Sequence, residues 1–328
     1  MKKVLKFIGI LLAIIVLGIA GLLCYVKFML PDVGKAPDLK VQSTPQRIAR
    51  GNYLANSVCM CIDCHSTRDW SKYAGPRIPG TEGEGGFAFD EKIGLPGKFV
   101  ARNITPYNIG SWTDGEVFRA ITSGVDKDGK ALFPIMPYLN IGQLDTEDVY
   151  SLIAYIRTLP PVKKDNESSA ADFPMNFIIN TIPKKPAFRP MPSQSDTVAY
   201  GKYMITAAGC ADCHTKTDKG KEIPGMAFAG GMEFHLPHGT VRSANITRDM
   251  ETGIGSWTKE VFIQRFKAYA DSGYRAAPLK PGEVNTVMPW ENFATMKAED
   301  LGAIYAYLRT LPAVNNKIIH FSPKDNGQ

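Results

Sequence analysis

The sequence predicts a mainly α-helical protein in which one N-terminal membrane-spanning helix precedes two tandem copies of a single domain. Three observations support this prediction. Positions 7–26 form a run of 20 uncharged, largely apolar residues. The rest of the chain repeats a set of short motifs in the same order, at offsets near 150 residues. No stretch shows the alternation of apolar and polar residues that is typical of half-buried strands.

The composition fits a globular protein with room for about two domains. The chain has 328 residues, and a domain takes roughly 150. Its 44% hydrophobic and 21% charged residues exclude a disordered or collagen-like chain. Four of the 38 basic residues lie in the first 30 positions, which leaves 34 basic against 32 acidic residues elsewhere. That balance is too even for a nucleic-acid-binding surface, and six cysteines are too few for a disulfide scaffold.

Residues 1–30 are predicted to be a transmembrane anchor. A helix of 20 residues spans about 30 Å, the thickness of a bilayer core. Lys2, Lys3 and Lys6 precede the apolar run. This excess of positive charge places the N-terminus in the cytoplasm. We therefore expect a single-pass protein of the inner (cytoplasmic) membrane, with the remaining domains on the periplasmic side.

Two other interpretations of the N-terminus are less favoured. The apolar region of a cleaved signal peptide is roughly 7–15 residues long and ends in an A-x-A-like site. The nearest such site, at 18–20, lies inside the apolar run. Lipidation of Cys24 is disfavoured because the bulky Leu23 stands where lipoprotein signals have a small residue.

The connecting segments differ in composition. Residues 31–45 contain three prolines and few large apolar residues, which predicts a semi-extended tether that lifts the domains off the membrane. Residues 161–194 are also rich in proline but include Phe173 and Phe177. Because a free linker would not carry such apolar residues, we expect an ordered strap packed across both domains. Residues 316–328 form a C-terminal tail.

The two copies occupy residues 46–160 and 195–315 and are called the first and second repeats. Their order of motifs is the same, which indicates a tandem duplication. The paired strings are 61–65 with 210–214, 103–105 with 245–247, 109–113 with 254–258, 135–138 with 287–290, and 155–160 with 307–312.

Each repeat is predicted to contain an opening, a middle and a closing helix. In the first repeat the opening helix covers 46–57 and the closing helix covers 145–158, where Asp145 can cap the N-terminus. Thr113, followed by a glutamate three residues later, has the capping-box pattern of a middle helix. Gly51 is small enough to let the closing helix approach closely. The closing helix has an apolar stripe of Val149, Leu152, Ile153 and Ile156.

Each repeat contains a Cys-x-x-Cys-His string, which is the attachment signature of c-type haem. A thioredoxin-like redox pair would need a βαβ context, and a zinc site would need four ligands; neither is visible in the sequence. The sequence therefore predicts two covalently attached haem c groups, with Cys61, Cys64, Cys210 and Cys213 as attachment residues and His65 and His214 as proximal iron ligands.

A methionine stands at matching positions in both repeats as a candidate sixth ligand. Met136 follows His65 by 71 residues, Met288 follows His214 by 74, and both lie in a Met-Pro-aromatic string. A single methionine more often only packs in a hydrophobic core. Its occurrence at the same position of both repeats favours a role as an iron ligand. A neutral sulfur ligand raises the reduction potential of a haem. His235 and His238 are the alternatives at the second iron; surface positions or a contact to a haem propionate suit them better.

Cys59 complicates the first site. It stands two residues before Cys61 and offers a longer-spaced pair with Cys64. The second repeat has only the two-residue spacing, which supports Cys61 as the attachment residue. Cys59 is then a spare thiol beside the first haem, in a state that the sequence leaves open.

Several repeated donors could contact haem propionates. Buried indole N–H, amide and guanidinium groups suit a carboxylate oxygen. The alternative is that the aromatic residues pack helices and the asparagines stabilise turns. The candidates for propionate contacts are Trp112, Trp257, Asn103, Asn245, Arg102 and Arg242.

Together these motifs resemble the class I cytochrome c family. The Asn-Ile-Thr, Gly-Ser-Trp-Thr, Met-Pro-aromatic and Tyr-x-Arg-Thr-Leu-Pro strings are particularly similar to those of membrane-bound multihaem cytochrome subunits of quinoprotein alcohol dehydrogenases and gluconate-type dehydrogenases. The resemblance implies two tandem class I cytochrome c domains. It also implies axial pairs of His65 with Met136 and His214 with Met288. Those subunits typically carry three haems, whereas this chain has motifs for two.

The expected function is electron transfer without catalysis. Two haems with both axial positions filled would relay single electrons from a periplasmic dehydrogenase or quinol-oxidising complex to an oxidase, a reductase or a soluble cytochrome. A dihaem peroxidase or thiosulfate-oxidising enzyme would need a labile sixth position, or a histidine or cysteine ligand. A third alternative is a haem-bearing structural subunit of a larger respiratory complex.

Overall fold

The computed structural model describes residues 1–218, 220–236, 239–280 and 282–324, and it is mostly helical. The helices are α1 (Lys2–Phe28), α2 (Pro45–Tyr53), α3 (Cys61–Cys64), α4 (Pro106–Ile109), α5 (Asp114–Ser123), α6 (Tyr138–Ile141), α7 (Thr146–Ile156), α8 (Met175–Ile178), α9 (Thr197–Ala207), α10 (Cys210–His214), α11 (Lys259–Lys267), α12 (Trp290–Ala294) and α13 (Ala298–Leu308). A π-helix covers Leu54–Val58, and 3-10 helices cover Glu91–Ile93 and Ile179–Thr181.

Within the described residues, short strands form three small antiparallel sheets. They are β1 (Ala88–Phe89), β2 (Gly97–Val100), β3 (Ala170–Ala171), β4 (Thr217–Asp218), β5 (Lys221–Glu222), β6 (Glu233–Leu236), β7 (Gly239–Arg242) and β8 (Phe321–Pro323), in the orders β1-β2-β3, β4-β5 and β6-β7-β8. These strands were not predicted, because segments of two to four residues are too short to show an alternating pattern.

The helix α1 is long and apolar enough to cross a membrane. None of its residues is buried by the rest of the chain. Its C-terminal end meets the strap, where the side-chain amide of Asn180 donates to the carbonyl of Val26 (3.2 Å). Lys27 lies over the ring of Phe177, 5.9 Å from its centroid. The end of α1 is thus connected to the folded body.

In both repeats the opening helix packs across the closing helix at a glycine. α2 packs on α7, and α9 packs on α13. A Cβ on Gly51 would overlap the carbonyl oxygen of Ser151, and a Cβ on Gly201 would overlap that of Ala303. The close approach predicted at Gly51 is confirmed. All four residues of the predicted apolar stripe on α7 are buried.

The predicted helix caps are also present. The Asp145 side chain accepts a hydrogen bond from the backbone N–H of Glu147 at the start of α7. Thr113 and Glu116 form a complete capping box at the start of α5. Because capping depends on residues only two or three positions apart, it was readable from the sequence.

The π-helix Leu54–Val58 marks a difference between the repeats. Ten positions separate Gly51 from Cys61, whereas nine separate Gly201 from Cys210. The first repeat absorbs its extra residue as a π-turn, in which the N–H of Cys59 donates to the carbonyl of Leu54 (2.7 Å). The cysteine motif therefore starts in the same conformation in both repeats.

Reciprocal hydrogen bonds join the two repeats. The Tyr53 hydroxyl, on α2, donates to the buried carboxylate of Asp300 on α13. The equivalent Tyr203, on α9, donates to the buried Asp148 on α7 (2.6 Å). Each tyrosine oxygen also accepts the N–H of a residue at the start of the opposite closing helix, Lys297 or Asp145, at 3.1 Å. The interface is therefore approximately two-fold symmetric.

The connecting segments contact the folded body. In the tether, the N–H of Val41 donates to Asp114 (2.8 Å), and the carbonyl of Pro37 occupies the space beside Gly115, two contacts that the proline content did not predict. The strap adds β3 to the first repeat, and the N–H of Ala187 donates to the carbonyl of Gly142 (2.8 Å). In the tail, β8 pairs with β7 of the second repeat.

Candidate haem-binding sites

The cysteine pairs lie on two short, equivalent helical turns. Cys61 and Cys64 are on α3, and Cys210 and Cys213 are on α10. Each turn follows a residue with left-handed backbone conformation, Met60 (φ 53°) in the first repeat and Gly209 (φ 63°) in the second. The same turn geometry presents two thiols and the following histidine in both repeats.

The environment of these thiols differs from that of a redox pair. Burial raises the pKa of all four to about 12. Reactive Cys-x-x-Cys pairs instead have a lowered pKa. Among the residues that the structure describes, no group of three or more His, Cys, Asp or Glu side chains is placed to hold a metal ion. These observations do not favour the thioredoxin-like and zinc alternatives.

Each motif histidine has a fixed ring orientation. The Nδ1 atom of His65 lies 2.6 Å from the carbonyl oxygen of Arg102, and Nδ1 of His214 lies 2.8 Å from that of Ala244. A carbonyl only accepts, so Nδ1 carries the proton and Nε2 keeps its lone pair. Burial lowers the pKa of both histidines, which favours the neutral ring. A neutral imidazole with free Nε2 is the form that binds a metal.

The two methionine strings also adopt one local geometry. The carbonyl of Met136 accepts the N–H of Tyr138 (2.8 Å), and the carbonyl of Met288 accepts the N–H of Trp290 (2.9 Å). Both methionines are half-buried and pack against the hydrophobic core. In each repeat a short helix, α6 or α12, begins directly after the Met-Pro pair.

The sequence of the second repeat matches a known protein family. The cytochrome c family model matches residues 198–312, which contain α10, His214 and Met288. The second repeat is a cytochrome c domain. Two thiols one turn apart and an imidazole with free Nε2 are the donor set that haem c requires, and the residues present fit that group.

Curated relatives of this chain include subunits of dehydrogenases. The cytochrome c subunit of the quinone alcohol dehydrogenase of Gluconacetobacter polyoxogenes is 27% identical over 81% of this chain and 56% of its own length. The cytochrome c subunit of the gluconate 2-dehydrogenase of Pantoea cypripedii is 25% identical over 87% of this chain and 64% of its own length. The chain thus spans somewhat over half of these relatives, and the family resemblance predicted from the motifs is confirmed.

A third relative is shorter. A protein of Cereibacter sphaeroides named "Diheme cytochrome c-type" is 26% identical over 77% of this chain. In that comparison 82% of the relative's own length is covered. Most of that dihaem protein therefore has a counterpart in this chain.

The two repeated asparagines do not support a propionate contact. The side-chain amide of Asn103 donates to the carbonyls of Val162 (2.9 Å) and Lys164 (3.1 Å), so both of its hydrogens are used. The amide of Asn245 donates to the hydroxyl of Thr252 and the carbonyl of Val314. The turn-stabilising alternative describes these two residues better.

For the other four candidates, a contact to a haem propionate stays a prediction. The surroundings of these four residues differ. Trp112 is buried beneath the guanidinium of Arg102, whose carbon lies 5.2 Å from the ring centroid. Arg102 also pairs with Asp126 (3.3 Å). Trp257 is half-buried. Arg242 is engaged elsewhere, because its guanidinium donates to Glu233, to Ser322 and to the carbonyl of Ile319.

A cluster of side chains beside the first cysteine motif was not predicted from the sequence. Asp63, buried within the cysteine turn, forms an ion pair with Arg68 (3.0 Å). The Arg68 guanidinium lies over Trp70, 4.5 Å from its centroid. The Trp70 indole N–H is buried with no acceptor among the described residues. Trp70 has no counterpart in the second repeat, so its only signal in the sequence was its proximity to His65.

The remaining candidates fall into three groups. His235 is exposed on β6, and its Nδ1 contacts the hydroxyl of Thr240 (3.1 Å), so the surface interpretation fits it. His238 lies outside the described residues. Cys59 is a buried free thiol whose pKa is raised by burial, and Cys24 is a free thiol exposed on α1.

Proposed function

We propose that this chain is a membrane-anchored dihaem c-type cytochrome that relays single electrons. One observation carries the proposal. In both repeats a Cys-x-x-Cys turn is followed by a histidine whose Nδ1 is hydrogen-bonded to a backbone carbonyl 37 or 30 residues further on. The same donor set, in the same orientation, therefore occurs twice.

The first repeat is proposed to be a second cytochrome c domain. Its α2–α7 crossing at Gly51 has the geometry of the α9–α13 crossing at Gly201 in the domain that the family model matches. Its His65 partner, the Arg102 carbonyl, is equivalent in the repeat to the Ala244 carbonyl. The dihaem relative from Cereibacter sphaeroides supports two haems in a chain of this kind.

Each proposed role follows from residue chemistry. Cys61 and Cys64 would hold one haem and Cys210 and Cys213 the other, and His65 and His214 would bind the two irons through Nε2. When bound, haem c supplies a one-electron Fe(III)/Fe(II) couple. Met136 and Met288 are proposed as the second protein ligands of the two irons. An iron that binds both a histidine and a methionine would have no place for peroxide or another substrate, which favours a carrier over an enzyme.

The partners are proposed from the relatives. Two of them are named as subunits of an alcohol dehydrogenase and a gluconate 2-dehydrogenase, which supports a dehydrogenase as electron donor. A quinol-oxidising complex is the other donor in the proposal, and an oxidase, a reductase or a soluble cytochrome is the acceptor.

The proposed location is the periplasmic face of the inner membrane. The helix α1 is unburied, and three lysines in its first turns precede the apolar run 7–26, which supports a membrane span with its N-terminus in the cytoplasm. The contact of Asn180 with the end of α1 supports a retained anchor, since it makes this helix part of the folded protein.

Haem content and spectroscopy test the proposal on the purified full-length protein. We expect two covalently bound haems per chain and, in the ferric state, the long-wavelength methionine–iron charge-transfer band. Met136→Ala and Met288→Ala are each expected to remove about half of that band and to leave the haem content unchanged. One haem per chain, a band unaffected by either change, or rapid peroxide turnover by the unmodified protein would contradict the proposal.

A further inference from the structure

A loop of the first repeat packs against the segment that leads to Met288 in the second repeat. The N–H of Tyr73 donates to the carbonyl of Ala277 (2.9 Å), and the N–H of Leu279 donates to the carbonyl of Ser71 (2.8 Å). These backbone hydrogen bonds join two segments that lie about 200 residues apart in the chain. The methionine string of one repeat is therefore built partly against the other.

Asn285 connects this contact to Met288. Its side chain is buried, and its Oδ1 accepts the backbone N–H of Ala74 (2.9 Å) from the first repeat. The same oxygen accepts the N–H of Thr286 (2.7 Å). The Thr286 hydroxyl in turn accepts the N–H of Met288 (3.0 Å). Three hydrogen bonds thus lead from the backbone of Ala74 to the backbone of Met288.

The first repeat uses different chemistry at the same positions. Phe133 and Pro134 stand where the second repeat has Asn285 and Thr286. The ring of Phe133 stacks on Phe99 of its own repeat, with centroids 3.9 Å apart. The first methionine string is therefore supported by an apolar contact within its repeat, and the second by hydrogen bonds from the other repeat.

We propose that Asn285 is a positioning residue through which the first repeat holds Met288 in place to bind the second haem iron. The inference rests on the proposed function, since it takes Met288 as the sixth ligand. Groups that orient a metal ligand commonly change metal affinity 10- to 100-fold when removed. A neutral thioether is a weak ligand, so its coordination depends strongly on a string that is already in the binding conformation.

The test uses full-length protein in detergent. Asn285→Ala leaves the N–H groups of Ala74 and Thr286 without their acceptor, and we expect it to remove close to half of the methionine–iron band. Asn285→Asp keeps an oxygen that can accept both N–H groups, so this variant is expected to retain the band that Asn285→Ala loses. Thr286→Val, which removes only the acceptor for Met288, is expected to give a smaller loss. Haem content is expected to stay at two per chain in all three variants.

Tyr203→Phe is the matched control, because it removes a buried hydrogen bond between the repeats without touching the segment 285–288. It is expected to leave the band unchanged. If Tyr203→Phe and Asn285→Ala lower the band equally, the effect is general loosening of the interface and the inference is wrong. If Met288→Ala removes half of the band while Asn285→Ala and Thr286→Val remove none, the inference fails and the proposed function stands. A band that survives Met288→Ala contradicts the proposed ligand itself.

Discussion

At the scale of single residues, Asn103 and Asn245 have the same task at equivalent places. The oxygen of each side chain accepts both the N–H and the hydroxyl of the threonine two positions on. The amide of each donates to a carbonyl in the segment that follows the closing helix. Since Asn103 is next to Arg102, whose carbonyl orients His65, it also fixes the backbone that contacts this histidine.

Replacing Asn103 with alanine separates this structural role from a propionate contact. Removing the side-chain amide leaves buried donors and acceptors unpaired, which lowers the free energy of unfolding by about 1–3 kcal/mol. We expect Asn103→Ala and Asn245→Ala each to lower stability by about this amount in denaturant titrations, with little change in haem potentials. A shifted potential with unchanged stability would instead indicate a propionate contact.

At the scale of elements, the two glycine crossings decide how close the opening and closing helices come. The backbone carbonyl of Ser151 or Ala303 lies where a side chain at Gly51 or Gly201 would begin. A carbonyl within a helix cannot move without disturbing its neighbours, because protein interiors are closely packed. The short distance brings the cysteine turn, which follows the opening helix, against the core.

Alanine substitutions measure this constraint. Gly51→Ala and Gly201→Ala are each expected to destabilise the protein by about 1–3 kcal/mol or more, since overpacking forces the helices apart. Gly302→Ala in α13 is the control, because its new Cβ would meet nothing closer than 3.4 Å. That change is expected to be neutral or to stabilise by about 0.5–1 kcal/mol. Equal melting temperatures for all three variants would show that the crossing tolerates a methyl group.

At the scale of the whole molecule, the reciprocal tyrosine–aspartate contacts make the two repeats one body. Asp148 also binds Arg50 of its own repeat (2.7 Å), and Asp300 also accepts the hydroxyl of Tyr200 (2.9 Å). Each buried carboxylate therefore has one partner from each repeat. A rigid interface of this kind would keep two haems at a constant separation, which suits a relay.

The two interface tyrosines are expected to make the protein less stable at high pH. Burial, followed by the neighbouring carboxylate, raises the pKa of Tyr53 and Tyr203 above the value of about 10 for an unfolded tyrosine. The folded state then binds these protons more tightly than the unfolded state. Their contribution is complete below pH of about 10 and declines as the pH rises further.

Unfolding measured between pH 8 and about 11 tests this dependence. The unmodified protein is expected to lose stability more steeply above pH of about 10 than the double variant Tyr53→Phe/Tyr203→Phe, which has no proton to lose at these positions. Parallel pH curves for the two proteins would show that the interface tyrosines do not contribute to the effect.

Features determined by residues close together in the chain were predictable. The caps at Thr113 and Asp145, the glycine crossing at Gly51 and the apolar stripe of α7 depend on short spacings or on one residue's size. The strands were not predictable, because pairing of two to four residues depends on partners elsewhere in the fold. The packed tether was also missed, since proline content indicates stiffness and does not reveal contacts.

The reactive groups were identifiable from the residues alone: two thiols followed by an imidazole in each repeat, and an apolar segment long enough to span a bilayer. These are local properties, so composition and spacing are sufficient to identify them. How these groups are oriented depends on the tertiary fold. Nδ1 of each histidine contacts a distant carbonyl, the amide of Asn103 donates to two backbone carbonyls, and Asn285 lies against the other repeat. Such contacts join residues 30 to more than 200 positions apart, and which of them meet depends on packing of the entire chain.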